Sequence, residues 1–251
     1  RLADVQARHG RDAVAVYAGN PVAHNYASLL MGLVFARALG SKSRFSATSV
    51  DQLPHQFASF HMFGHQLLLP IPDVDRTSLM IVVGGNPAVS NGSLMSAGGI
   101  VRRLKALRAR GGRLVVCDPR RTETAKLADE HHFVRPGTDA LLFLAMLHVL
   151  FTESLVDNGP WRDFTVGLDE VEALCRPYPP ERVSAAVGMT SEAITALARA
   201  LAAAHSACVY TRLGVCTQRF GGLATWLANV LNVVTGNLDR PGGMMFTSPA
   251  V

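Results

Sequence analysis

The chain has 251 residues, of which 49% are hydrophobic and 17% are charged. This balance excludes an intrinsically disordered protein, and the length allows one large domain or two small ones. The formal net charge of +5 permits an anionic ligand, and the longest apolar runs are too short or too interrupted to cross a bilayer, so a soluble chain without a transmembrane segment is expected.

Short apolar runs alternate along the chain with longer segments of helical period, a pattern typical of a parallel sheet with crossover helices. Strands are predicted at residues 13–19, 79–85, 113–118, 131–136 and 207–212. Helices are predicted near residues 25–40, 93–110, 122–128, 140–153, 191–204 and 221–235. The predicted fold class is therefore α/β.

The segment at residues 43–66 fits this alternation least well. Its sequence, SRFSATSVDQLPHQFASFHMFGHQ, has the irregular polar character of a site loop followed by a short helix. Local sequence preferences often fail at functional segments, so this segment is a candidate site. The two prolines and alternating acids at residues 70–77 then predict a surface link into the next strand.

Polar, conformationally restricted corners follow several of the predicted strands. Their sequences are AGNP at 18–21, GGNP at 84–87, CDPRR at 117–121 and RPGTD at 135–139. Ligands of open parallel sheets bind at the carboxyl ends of the strands, so these corners predict one binding edge. The similarity of AGNP to GGNP hints at two related βα units.

The corner GGNPAVSNGS at residues 84–93 combines glycines with the start of a helix. Glycine lets the backbone approach a ligand closely, and the first amides of a helix can bind phosphate. The candidate side chains here are Asn86, Ser90, Asn91 and Ser93, and an ordinary βα loop is the open alternative. No GxGxxG motif follows a predicted strand, which disfavours an NAD or FAD site.

The next two corners carry acids. Asp118 follows a predicted strand, where a carboxylate suits a ribose diol or a purine edge because it accepts two hydrogen bonds at once. Arg120 and Arg121 could neutralise phosphate. Asp139 could recognise the N1 and N2 donors of guanine, or it could simply cap the helix that follows.

Two further features exclude common classes of binding site. The four cysteines lie far apart without a CxxC pair, which argues against a zinc ribbon or an iron-sulfur site within this chain. The basic segment at residues 101–113 has apolar residues at helical spacing and lacks interleaved aromatic residues. It predicts a solvated helix face, and no nucleic-acid partner is expected.

Several motifs, taken in order, resemble the molybdopterin oxidoreductase family, which includes formate dehydrogenases, respiratory nitrate reductases and dimethyl sulfoxide reductase. The resemblance covers nearly the whole chain, and it implies a doubly wound parallel sheet of the formate dehydrogenase type. It also implies molybdenum or tungsten held by two molybdopterin guanine dinucleotides, each bound by one α/β domain. The motifs are SVDQLP (49–54), GGNPAVSNG (84–92), CDPRRTETAKLADEH (117–131), RPGTDALL (135–142), GVCTQRFGG (214–222) and TGNLDRPGG (235–243).

The same resemblance implies a set of cofactor-binding residues. The set comprises Gly85, Asn86, Ser90, Asp118, Arg120, Gly137, Asp139, Gly214, Thr217 and Gln218. By this resemblance, Asn86 and Ser90 would contact the dinucleotide phosphates, and Asp118 and Arg120 would contact the nucleoside. Gly137 and Asp139 would recognise ribose or guanine. Gly214, Thr217 and Gln218 would lie along the pterin side.

The protein ligand of the metal in this family is Ser, Cys, selenocysteine or Asp at the start of the second α/β domain. The match to SVDQLP places Asp51 at that position, with Ser49 as the alternative ligand and Gln52 beside it in the implied catalytic segment. A carboxylate is a reasonable hard ligand for a high-valent metal. That Asp51 only caps the following helix remains open. Formate dehydrogenases typically carry Cys or selenocysteine followed by His here, which disfavours formate as substrate.

The iron-sulfur cysteines and the carboxy-terminal pterin-binding barrel of the family are missing from this sequence. The chain is therefore expected to be the central part of a larger subunit. Residues 1–47 would belong to the first pterin-dinucleotide domain and residues 48–251 to the second. The expected partners are the missing domains, electron-transfer subunits or carriers, and a small-molecule substrate. Any iron-sulfur cluster would lie outside this chain, and a cytoplasmic location is favoured.

The resemblance implies that the full-length parent is an oxidoreductase that carries out a two-electron reaction, and that this piece alone is inactive. The alternative is a non-catalytic scaffold relative of a respiratory complex that has lost the cofactor. The intact corners at Asn86, Asp118 and Asp139 argue against that alternative, because a relative without the cofactor has no physical reason to keep them.

Overall fold

The computed structural model describes residues 1–19, 22 and 25–248. The chain divides into two compact units, Arg1–Gln52 and Leu53–Val251. The assignment of residues 1–47 and 48–251 to two pterin-dinucleotide domains stays a prediction. Within the described ranges, no helix combines the length and the apolar character that a membrane span requires.

The first unit is a small α/β arrangement. Strands β1 and β2 pair in parallel, with Val16 opposite Arg44. The predicted helix at 25–40 is confirmed: the Asn25 side chain accepts a hydrogen bond from Ser28 N at its start, and Gly40 ends it in the left-handed conformation with φ 62°. The AGNP corner lies partly outside the described residues. The elements are α1 (Leu2–His9), β1 (Val16–Ala18), α2 (Tyr26–Leu39), β2 (Arg44–Ser46) and α3 (Thr48–Asp51).

The second unit is built on a parallel sheet. The strands are β3 (Ile71–Pro72), β4 (Leu79–Val83), β5 (Arg113–Cys117), β6 (Glu130–His132), β7 (Ala207–Thr211) and β8 (Met244–Met245). The main sheet has the order β6-β5-β4-β7, whereas β3 and β8 form a separate antiparallel pair. Every residue of β4 and β7 is buried, as expected for parallel strands with both faces covered. The α/β class predicted from the sequence is confirmed.

Helices cover both faces of this sheet. Along β4, Leu79, Ile81 and Val83 pack into a core with α7, α10 and α12. The intervening Met80 and Val82 pack into a second core with α6. The alternation follows from the period of two along a strand. The helices are α4 (Leu53–Phe63), α5 (Pro87–Ser90), α6 (Ile100–Ala109), α7 (Asp139–Thr152), α8 (Leu168–Cys175), α9 (Pro180–Val187), α10 (Ser191–Ala203), α11 (Leu213–Cys216) and α12 (Gly221–Val234).

The strand order positions the candidate site. β4 pairs with β5 on one side and with β7 on the other, so the topology reverses between β4 and β7. Val83 lies opposite both Cys117 and Thr211, so these three strands end level with one another. We call the loops that follow the main-sheet strands, residues 84–92, 118–124, 133–139 and 212–218, the carboxyl edge. Ligands of open α/β sheets bind at such an edge, near the reversal.

Three local predictions were wrong. Residues 122–128 form turns rather than a helix, because the Thr122 and Thr124 hydroxyls accept hydrogen bonds from the backbone amides of Ala125 and Ala88. The helix predicted at 93–110 begins only at Ile100. Residues 70–77 are not a surface link, since they contain β3 and the fully buried Thr77.

Candidate functional site

The loops after β4 and β7 are in direct backbone contact where the topology reverses. Gly214 N donates a hydrogen bond to Gly84 O at 2.8 Å. A Cβ atom on Gly84 would lie 2.7 Å from Val215 N, and one on Gly214 would lie 2.9 Å from Gly84 Cα. Neither position has room for a side chain, so Gly214 has a packing role. Its predicted pterin contact stays a prediction.

The Asn86 amide connects the β4 loop to the β5 loop. Its Oδ1 accepts hydrogen bonds from Thr124 N at 3.1 Å and Thr124 Oγ1 at 2.8 Å. Its Nδ2 donates to Glu123 Oε2 at 2.7 Å, and this bond lowers the pKa of the Glu123 carboxyl. Ser90 is exposed, and its hydroxyl donates to Asn86 O at 3.2 Å. Both ends of the Asn86 amide thus hold two loops of the carboxyl edge together.

Asp118 organises the corner after β5. Its Oδ1 accepts a hydrogen bond from Arg120 N at 2.8 Å, which is the geometry of an Asx turn. Asp118 O lies 3.0 Å from His131 Nε2, and Asp118 N donates to His132 O at 3.1 Å. These contacts fix the corner against β6. The Arg120 guanidinium is exposed and lies 3.5 Å from Glu123, a surface pair that contributes little to stability.

Asp139 and Gln218 meet at the carboxyl edge. Asp139 is 5% exposed, and Gln218 Nε2 donates a hydrogen bond to its Oδ2 at 2.6 Å. Burial raises the pKa of the Asp139 carboxyl to about 6, with a contribution of the same sign from the charge of Asp118. Thr138 occupies the N-cap position of α7, and Asp139 lies in the first turn of that helix, where its carboxylate also accepts a hydrogen bond from its own backbone N–H. Both a helix-terminal role and guanine recognition therefore stay predictions.

Gln218 offers a second buried acceptor. Within the described part of the chain, its Oε1 is buried without a hydrogen-bond partner. Gly137 lies beside it in the left-handed conformation, with φ 84°, and a Cβ atom there would lie 3.8 Å from Gln218 Oε1. Asp139 and Gln218 therefore present oxygen acceptors next to a glycine turn. Thr217 is exposed, and its hydroxyl donates to Leu213 O at 3.0 Å.

Sequence reasoning missed the buried arginine that follows β7. Arg212 is 8% exposed, and its Nε donates a hydrogen bond to Ser93 Oγ at 2.6 Å. A Cβ atom on the buried Gly85 would lie 3.3 Å from Arg212 Cβ, so glycine lets the two loops pack closely. In the sequence, Arg212 is only the last residue of a predicted strand. An arginine directly after a strand whose residues are all buried was the signal available.

The predicted metal-ligand segment belongs to the first unit. Asp51 is half-buried and is the last residue of α3, two residues before Leu53 begins α4. Its roles as metal ligand or as cap of the following helix both stay predictions. Ser49 is exposed, and its hydroxyl donates to Ser46 O at 3.4 Å. Gln52 follows α3 directly. No group of three or more His, Cys, Asp or Glu side chains in the described residues is arranged to hold a metal.

Two curated proteins illustrate the similarity in sequence. Formate dehydrogenase H of Escherichia coli (strain K12) is 30% identical over 244 residues, which cover 96% of this chain and 33% of that protein. The periplasmic nitrate reductase of Desulfovibrio desulfuricans is 25% identical over 261 residues, with 97% and 34% covered. The chain thus spans about a third of the length of these relatives.

The fold is also similar to that of a known structure. Acetylene hydratase from Pelobacter acetylenicus matches with a TM-score of 0.75 at 22% sequence identity, over 99% of this chain and 33% of that chain. Similarity at this identity supports the fold and carries no inference about activity. A family model described as molybdopterin oxidoreductase matches residues 1–248. Because this match spans nearly the whole sequence, the chain belongs to the molybdopterin oxidoreductase family.

Proposed function

We propose that this chain is the central part of a molybdenum or tungsten oxidoreductase that uses two molybdopterin guanine dinucleotides. Family membership implies a molybdenum or tungsten pterin cofactor. The guanine dinucleotide form, the two-electron reaction on a small substrate and the longer parent polypeptide are the finer parts of this proposal. The match to about one third of each relative supports a longer parent.

The observation that carries the proposal is the pair of acceptors at Asp139 and Gln218. Guanine presents the N1–H and N2–H donors on one edge, and adenine does not. The buried carboxylate of Asp139 and the buried Gln218 Oε1, which has no hydrogen-bond partner in the described part of the chain, match these donors. The left-handed turn at Gly137 lies beside them. The residues present therefore fit a guanine base at the carboxyl edge.

Electrostatics in the loop that follows β7 suit a diphosphate. Arg212 places a buried guanidinium after β7, close to the glycine loop that follows β4. A buried cation binds phosphate more strongly than an exposed one because water screens it less. The Asn86 amide is already hydrogen-bonded to Glu123 and Thr124 in the neighbouring loop. We therefore infer that Asn86 shapes the phosphate-binding loop, whereas Ser90 lies on the exposed side of that loop. Asp118 would accept hydrogen bonds from a ribose.

The reacting metal would be held outside the guanine site. We propose Asp51 as its protein ligand, with Ser49 as the alternative, and Gln52 as the neighbouring residue of the catalytic segment. When bound, molybdenum or tungsten supplies the two-electron redox chemistry. The protein contribution is to bind the pterins, to orient the substrate and to exclude water. Electrons would leave through iron-sulfur clusters in other parts of the parent or in partner subunits.

One experiment on the full-length protein tests this function. The protein is purified without oxygen from a host that makes the cofactor, and its metal is measured by mass spectrometry alongside the GMP that acid hydrolysis releases. The proposal predicts about one molybdenum or tungsten and about two GMP per chain, as a bis-dinucleotide cofactor requires. Metal without GMP would contradict the dinucleotide form. Absence of both would favour a scaffold relative that has lost the cofactor.

A further inference from the structure

A small, largely enclosed cavity lies within the second unit, between α4, β7 and α12. Its volume is about 10 Å³, which is close to the space that one water molecule needs. Leu69, Leu94, Val209 and Met244 form much of the apolar part of its wall. The polar lining residues are His55, Ser59, Tyr210, Thr211 and Asn229. A cavity of this size and polarity is suited to a very small polar ligand.

Two of the polar groups in this wall lack a hydrogen-bond partner among the described residues. His55 and Ser59 are 8% and 1% exposed. Among the residues that the structure describes, His55 Nε2 and Ser59 Oγ are buried without a hydrogen-bond partner. They lie four residues apart on α4 and so share one face of the helix. Burying such groups is unfavourable unless something hydrogen-bonds to them.

The charge around the cavity determines which ligand fits. Burial, and then the positive charge of Arg212, lower the pKa of His55 to about 3. His55 is therefore neutral at physiological pH, and its ring can form a hydrogen bond with a water molecule. The positive charge of Arg212 disfavours a cation in the cavity, and a volume of about 10 Å³ excludes an oxyanion. Water satisfies both restrictions.

We propose that this cavity binds one structural water molecule that hydrogen-bonds to His55 Nε2 and Ser59 Oγ and connects α4 to the sheet at β7. Such waters typically make about three hydrogen bonds, and the polar groups of Tyr210, Thr211 and Asn229 in the wall are the candidates for the remaining one. This inference rests on packing and polarity alone, so it stands whether or not the proposed redox function is correct.

The direct test is a crystal structure of the full-length protein at a resolution that shows ordered waters. The expected result is one electron-density peak in the cavity, within about 2.7–3.2 Å of both His55 Nε2 and Ser59 Oγ. An empty cavity, or a His55 ring that bonds to another protein group instead, would overturn the proposal.

Two substitutions to valine form a matched pair. Ser59→Val removes the hydroxyl and places methyl groups in the cavity, so the water should be lost. Thr225→Val removes another buried hydroxyl without a described partner, from a residue outside the described cavity wall, so the water should remain. Retention in Ser59→Val with loss in Thr225→Val would overturn the assignment. If Ser59→Val fails to fold, Ser59→Ala should lower the occupancy of the water, and unchanged occupancy would contradict the role of Ser59.

Discussion

Gln218 donates a 2.6 Å hydrogen bond to the buried carboxylate of Asp139, while its own Oε1 is buried without a partner in the described chain. Gln218 follows β7 and α11, whereas Asp139 begins α7. The order of the strands in the sheet thus brings together two residues that are 79 positions apart in the sequence. The resulting pair of acceptors is the most specific chemical feature of the carboxyl edge.

The raised pKa of Asp139 predicts a pH-dependent stability. The pKa of the Asp139 carboxyl is about 6 in the folded protein and about 3.9 in the unfolded chain. Its neutral form therefore contributes stability that is fully present below about pH 3.9. That contribution is lost as the pH rises through the folded pKa. Relative to wild type, Asp139→Asn should therefore become more stable between about pH 4 and pH 7, by roughly 2–3 kcal/mol at the upper end.

Urea unfolding at several pH values measures this effect. The exposed Gln66 provides a control, since Gln66→Asn removes no ionisable group and should leave the pH dependence of the free energy of unfolding unchanged. A difference between Asp139→Asn and wild type that does not change across this pH range would show that Asp139 does not titrate as the burial requires.

The hydrogen bonds between Asn86 and Thr124 predict energetic coupling. Asn86→Ala and Thr124→Val should each lower the free energy of unfolding, and the double variant should lose less than the sum, with a coupling of about 1–2 kcal/mol. Both single variants should also retain less GMP, because the loops of the carboxyl edge are no longer held together. Additive losses with full GMP content would exclude this positioning role.

Close packing of the two glycine loops predicts that Gly214 does not tolerate a side chain. Gly214→Ala places a Cβ 2.9 Å from Gly84 Cα, and backbone atoms cannot move aside cheaply, so the free energy of unfolding should fall by about 1–3 kcal/mol. Gly98→Ala is the control, since a Cβ there has no neighbour within 4 Å in the described chain. Equal stability of both variants in urea would contradict the packing.

Substitution of Asp51 separates metal ligation from pterin binding. In the full-length protein, Asp51→Ala should abolish turnover while the GMP content per chain stays close to that of wild type, because the two pterin dinucleotides of the proposed cofactor would also hold the metal. Asp163→Ala, at an exposed position outside the candidate site, should leave both quantities unchanged. Normal turnover in Asp51→Ala would move the ligand assignment to Ser49 or elsewhere.

Much of the sheet could be predicted from the sequence. The apolar runs that became β4, β5 and β7 are buried on both faces, and a strand of that kind needs little beyond a short run of β-branched and other apolar residues. The helix predicted at 221–235 is likewise confirmed as α12, although its side chains from Leu227 to Val234 are buried without interruption rather than at helical spacing. Local sequence was sufficient wherever burial alone determined the element.

Tertiary hydrogen bonds determined what the sequence did not reveal. Residues 122–128 look helical in sequence, but the Thr124 hydroxyl accepts from Ala88 N in another loop. No local pattern could have shown that the Asn86 amide is used between loops, or that Gln218 reaches Asp139. The burial of Arg212 also depends on loops from distant parts of the chain.

The most direct test of the account is the nucleotide preference of the full-length protein, produced in a host that cannot make the cofactor. Isothermal titration with GDP, IDP and ADP should show GDP binding most tightly, with at least a roughly tenfold loss for IDP, which lacks the 2-amino donor. Gln218→Ala should reduce the difference between GDP and IDP. Equal affinity for GDP and ADP, unchanged in Gln218→Ala, would contradict guanine recognition by Asp139 and Gln218.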